Sequence, residues 1–157
     1  MVDELRVRQM LDRLGVEIDA LRRLARLDPG ELLRDDDLLA AVKYRFIVAI
    51  EVCIDVGRHV VASEGLRAPL DYADAFAVLA DAGLLDPAIA AELRDTARFR
   101  NLLVHGYDCH FTEEPPPGGV GSSDMRWVDD TRVVEILRDR VDDLAAFRTA
   151  LARAAGG

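Results

Sequence analysis

Four polar side chains crowd one short stretch of this chain, Arg100-Asn101-Leu102-Leu103-Val104-His105-Gly106-Tyr107. Histidine has the ordinary pKa nearest neutrality, so it can both take and give protons. Arginine is a permanent cation whose planar fork matches a phosphate. Asparagine offers a neutral donor and acceptor. Tyrosine can donate a hydrogen bond, stack on a base or accept a modifying group. Together they suit the cutting of RNA, which carries its own nucleophile in the 2′-hydroxyl. A base removes the hydroxyl proton, a cation stabilises the crowded phosphate and an acid protonates the leaving oxygen, with no metal needed.

His105 is the obvious base or acid, and one chain offers no obvious second proton carrier. A symmetric dimer would bring two copies of the motif face to face across one cleft, and two-fold pairing is the commonest assembly. It would also gather Arg94, Arg98 and Arg100 from both chains as possible RNA phosphate contacts. Arg94, Arg98, Asn101 and His105 follow one another at steps of four, three and four, so they share a helix face. Arg100 lies about 140° around a regular helix from His105. The two therefore meet only if the helix breaks near Gly106, or if they act across a dimer; the spacing leaves both open.

These residues need a frame, and the apolar pattern supplies one made of helices. Residues 3–27 carry Leu5, Met10, Leu11, Leu14, Ile18 and Leu21 at three- and four-residue steps. Asp28-Pro29-Gly30 is read as its stop. Residues 36–64 form a long second helix, opened by Asp35, Asp36 and Asp37 and closed at Gly65. A third runs over 71–82, with Asp71 as its cap and Gly83 at its end. Asp86-Pro87 opens a fourth that reaches His105. A last helix covers about 131–155. Before it, residues 108–129 hold Pro115-Pro116-Pro117-Gly118-Gly119 and read as an irregular inserted loop, with Trp127 near its far edge. The expectation is an all-α, up-and-down bundle of four to five helices in a single domain spanning 1–157.

Composition narrows the function classes. Half of the 157 residues are apolar, enough for a core, and the net charge is −9. A protein that coats nucleic acid by broad attraction would be basic, so any RNA contact must be local. Two cysteines, Cys53 and Cys109, make no disulfide framework. The start is charged rather than a signal sequence, and no stretch approaches the roughly 18 apolar residues of a membrane span. A cytoplasmic protein is expected. With neither a Walker-type glycine loop nor a Rossmann fingerprint, no cofactor is expected.

The octet ending at Tyr107 resembles the R-x4-H-x-Y signature of HepT-like HEPN toxins. The resemblance extends upstream to the Ile50–His59 helix and downstream to the final amphipathic helix. It implies a metal-independent endoribonuclease that dimerises through its motif helices. Its catalytic arginine and histidine correspond to Arg100 and His105, and the polar residue after the arginine to Asn101. It further implies a partner, a small MntA-like nucleotidyltransferase antitoxin that silences the toxin by attaching AMP to the motif tyrosine, here Tyr107. The RNA substrate would be tRNA or mRNA. The departure is the 108–129 loop, since the family usually passes quickly from the tyrosine into the last helix.

Other polar residues draw plainer readings. Without the rest of the motif, Arg100 and His105 could be a helix-end salt bridge. His59 reads as structural, His110 as a bystander and Asp35–Asp37 as a helix start rather than a metal site. Cys109 has no neighbouring base to make it a nucleophile. Asp108 could orient His105 or repel phosphate. No Glu-x-x-His pair suggests a ferritin-like metal bundle. Two rivals stand beside the nuclease: a non-catalytic HEPN module that binds a nucleotidyltransferase or nucleotide, and a plain helical interaction protein.

Overall fold

The computed structural model describes residues 4–105 and 130–156. Within them the elements are α1 (Glu4–Ala25), α2 (Pro29–Arg34), α3 (Asp36–Ser63), α4 (Asp74–Asp81), α5 (Pro87–His105) and α6 (Asp130–Gly156). The all-α expectation holds. The Pro/Gly-rich stretch and Tyr107 lie outside the described residues.

Short α2 is an addition to the expected set. The Asp28-Pro29-Gly30 stretch ends α1 and also begins a new helix. The Asp28 carboxylate accepts from the Gly30 amide at 2.8 Å and the Glu31 amide at 3.3 Å. Proline at the first helical position loses nothing there, because its missing N–H would have had no partner inside the helix. Asp86-Pro87 uses the same device at the start of α5, with Asp86 accepting from Ala88 at 2.8 Å. The start of α4 also shifts. Asp71 caps a turn rather than the helix itself, its Oδ1 accepting from the Asp74 amide at 2.7 Å. Gly65 and Gly83 both take positive φ, 63° and 74°, and end α3 and α4 as expected. Beyond them, Leu66 N–H returns to Val61 O and Leu84 N–H to Leu79 O, which satisfies carbonyls that the helix ends leave open.

The long helices alternate in direction. Leu11 on α1 and Leu27 in the turn just after it meet Arg148 and Arg138 on α6 in reverse order, through bonds from each arginine to a backbone carbonyl. Lys43 near the start of α3 pairs with Asp130 at the start of α6 at 2.6 Å, so α3 and α6 run together. Glu92 of α5 is ion-paired with Arg140 of α6. One apolar cluster joins the helices, with Phe46, Phe76, Phe147, Leu21, Leu93 and Leu144 among its best-shielded members. Two edge-to-face aromatic pairs set helix register: Phe76 with Phe147 at 5.7 Å and Phe46 with Phe99 at 6.5 Å. Glu17, fully buried on α1, is held by Arg13 at 2.8 Å and by Arg45 of α3 at 3.1 Å. Among the described residues, no helix is long and apolar enough to cross a membrane.

Candidate active site

Helix α5 carries the motif. Ala90, Leu93, Ala97 and Leu103 are its buried apolar residues, and Arg100 follows Leu93 and Ala97 by seven and three positions. Arg100 thus sits on the stripe that faces the bundle, so its cation is turned towards α3 rather than into open solvent. A charge so placed needs a counter-charge, because leaving it shielded from water without one is costly. Glu51 of α3 provides it: Glu51 Oε1 is ion-paired with Arg100 Nη2, with the two side chains only 38% and 23% exposed. The nearby Phe46–Phe99 contact joins the same two helices and fixes the register that brings Glu51 opposite Arg100.

The next residue extends the network. Arg100 Nη1 donates to Asn101 Oδ1 at 2.8 Å. The Asn101 amide nitrogen in turn donates to the hydroxyl of Tyr72, in the turn before α4. That turn is tied down by Asp74, which accepts from Arg67 at 2.6 Å and from the Leu70 amide at 2.8 Å. The Arg67 hydrogen bond, with help from the Leu70 amide, holds the Asp74 carboxyl down at about 2, against an ordinary value of 3.8. The sequence of contacts therefore runs from Glu51 through Arg100 and Asn101 to Tyr72, drawing on three separate parts of the chain.

Of the expected site residues, Arg100 and Asn101 are brought together directly. His105 is the last residue of α5, and the helix is continuous up to it. Its backbone position is therefore about 140° around the axis from Arg100. Arg94 and Arg98 behave differently from each other. Arg94 is half-buried with its Nε shielded, and its charge helps to lower the Asp74 pKa, so it faces the α4 turn. Arg98 is exposed and pairs with Asp95 at 3.2 Å. His59 is half-buried on α3. Cys53 is fully buried, and burial pushes its thiol far above the ordinary range, which leaves it inert.

Glu51 and Tyr72 are members of this network that the sequence reading passed over. The signal for Glu51 was indirect: an arginine in register with Leu93 and Ala97 demands an acid on a facing helix. Glu51 is an acid set between Ile50 and Val52 in the most apolar part of α3. Tyr72 had no comparable signal.

Comparison with known proteins gives a consistent result. The family model described as Ribonuclease HepT-like matches residues 14–109. A curated relative, the mRNA nuclease HepT of Shewanella oneidensis, is 28% identical over 80 residues, which is 51% of this chain. The match spans 60% of that relative's length. Among solved structures, a tri-AMPylated Shewanella oneidensis HEPN toxin in complex with MNT antitoxin superposes with a TM-score of 0.77 at 19% identity, covering 98% of this chain and 99% of that one. The cytosolic protein YutE of Bacillus subtilis, of unknown function, gives 0.75 at 16% identity, with 98% and 90% covered. A mutant MntA-HpeT toxin–antitoxin structure gives 0.73 at 18% identity, with 94% and 97% covered. These structures share the fold, and the family model takes in the whole of α5 together with Glu51 and Tyr72: the chain belongs to the HepT-like ribonuclease family.

Proposed function

We propose that this chain is the toxin of a toxin–antitoxin pair, a metal-independent endoribonuclease that acts as a homodimer in the cytoplasm. The observation that carries the reading is the Arg100–Asn101 pair, fixed on α5 one turn before His105 inside the family-matched segment. In the reaction, one His105 takes the proton from the RNA 2′-hydroxyl. The freed oxygen bonds to the adjacent phosphorus, and Arg100 stabilises the extra negative charge as the phosphorane-like state forms. The bond from phosphorus to the 5′-oxygen breaks, and that oxygen receives a proton from an acid. The products are a 2′,3′-cyclic phosphate and a 5′-hydroxyl.

The homodimer supplies the acid. Within one chain α5 stays helical to His105, so Arg100 and His105 diverge around the axis. Two motifs facing across a two-fold axis would give each phosphate an arginine and two imidazoles. They would also produce a local basic cleft on a protein of net charge −9.

Silencing follows from the same motif. The solved HEPN toxin that superposes with this chain is described as tri-AMPylated and in complex with an MNT antitoxin. We read the partner here as an MntA-like nucleotidyltransferase that transfers AMP from ATP to the Tyr107 hydroxyl, the phenol oxygen bonding to the α-phosphorus as pyrophosphate leaves and the phenol proton is lost. An adenylate placed there, two residues from His105, adds a phosphate where the RNA backbone must enter. The RNA substrate is an mRNA or a tRNA.

The test is growth on induced expression of wild type and His105→Ala, followed by cleavage of RNA by the purified proteins in EDTA. The expected result is arrest and cleavage by wild type alone, with the variant slower by roughly 10²- to 10⁴-fold, the range for loss of a proton-transfer group. Ends carrying a 3′-hydroxyl and 5′-phosphate, or a strict need for a divalent metal, would overturn it.

A further inference from the structure

The network around Arg100 does more than neutralise a charge. An arginine has five N–H donors and no acceptor. In this chain Nε is buried without a hydrogen-bond partner, one Nη2 hydrogen faces Glu51 and one Nη1 hydrogen faces Asn101. One hydrogen on each terminal nitrogen is left over by these contacts, so the guanidinium keeps donors for a phosphate while it holds Glu51 and Asn101. The orientation of Asn101 is equally determined. Arg100 can only donate, so the amide oxygen must face it, and the amide nitrogen is left for the Tyr72 hydroxyl.

We propose that Glu51 and Tyr72 are positioning residues for the ribonuclease reaction, aligning Arg100 and Asn101 on the phosphate to be cut; this rests on the reading above. Glu51 orients a long, flexible cation before the substrate arrives, so the entropy of fixing it is not lost during the reaction. Its negative charge also weakens the hold of Arg100 on any phosphate, bound substrate included. Removing Glu51 should therefore slow the chemical step without weakening binding. Tyr72 acts one step further out, by locking the amide that steadies the guanidinium.

The experiment measures kcat and KM for cleavage of one defined RNA oligonucleotide in EDTA, using full-length wild type, Glu51→Gln, Glu51→Ala and Tyr72→Phe. Thermal melts run alongside; if Glu51→Ala does not fold, Glu51→Gln, which keeps the shape and an acceptor, carries the test. The expected result is a kcat about 100-fold lower for Glu51→Ala, the scale set by an ångström-sized misplacement, with KM unchanged or lower. Glu51→Gln should fall between this and wild type, and Tyr72→Phe should lower kcat by roughly 10-fold, also at constant KM. Folded Glu51 variants with wild-type kcat, or with their whole defect in KM, overturn the inference and leave the ribonuclease reading standing. A wild type that cuts no RNA overturns both.

Discussion

The Arg100 guanidinium meets the Glu51 carboxylate across the α3–α5 interface, where the arginine side chain is only 23% exposed. The motif cation is therefore already engaged before any substrate is present. An arginine can serve Glu51, Asn101 and a phosphate at once because its donors spread over a plane, whereas a lysine concentrates its charge at one point. Arg100→Lys keeps the charge opposite Glu51, so unfolding in urea should shift little. Cleavage should drop by about 100-fold because the two-point geometry is gone. A Lys variant that cuts like wild type would mean that only the charge matters, and the fork has no role.

Two aspartates start helices by the same chemistry and should respond alike. Asp28→Ala and Asp86→Ala should each cost about 1 kcal/mol in chemical unfolding, since each removes the acceptor for two backbone amides. The asparagine variants keep an acceptor and should recover most of that. Equal losses for Ala and Asn at either position would assign the effect to charge at the helix start instead of to the hydrogen bonds.

These caps also show where the sequence was legible. The long helices α1, α3, α5 and α6 announce themselves because their apolar residues repeat over many turns. A six-residue helix such as α2 offers too few turns for periodicity, and Asp28-Pro29-Gly30 reads equally well as an end and a beginning. The α4 boundary was misplaced because Asp71 caps a turn that precedes the helix by three residues. Within the site, Arg100 and Asn101 were legible because they adjoin and share a motif. Their partners Glu51 and Tyr72 come from α3 and a connecting turn, and such pairings are decided by packing rather than by local spacing. Arg94 and Arg98 looked equivalent on one helix face, yet α4 packs against the first and leaves the second in water.

Asp74 predicts a specific acid response. Its folded-state pKa of about 2 lies below the ordinary 3.8 because Arg67 and the Leu70 amide favour the charged form. A group depressed in this way contributes stability above its unfolded value and loses it as pH falls through the folded one. Wild-type stability should therefore decline between pH 3.8 and about 2 more steeply than that of Asp74→Asn, measured as urea midpoints across that window. Parallel declines would show that the Arg67–Asp74 pair carries no net stabilisation. Because this pair holds the turn that bears Tyr72, Asp74→Asn should also reproduce part of the Tyr72→Phe cleavage defect at neutral pH.

Arg94 and Arg98 separate by salt dependence. Each phosphate contact by a cation releases counterions, so the slope of log affinity against log salt counts such contacts. Arg98 is 61% exposed, and its bond to Asp95 joins neighbours on one exposed helix face, so that pairing is weak and readily exchanged for a phosphate. Arg94 lies near enough to Asp74 to favour its charged form and is partly shielded, so using it on RNA would strip the α4 turn of a nearby positive charge. Binding of a 2′-deoxy oligonucleotide, which cannot be cut by this chemistry, can be followed from low to moderate salt. Arg98→Ala should reduce the slope by about 0.7 for each motif copy engaged, the single-strand value per neutralised phosphate. Arg94→Ala should leave the slope intact and instead lower the unfolding midpoint. If the two variants exchange these behaviours, the placement of RNA along α5 must be redrawn towards the α4 turn; if neither alters the slope, the basic cleft is built from Arg100 alone.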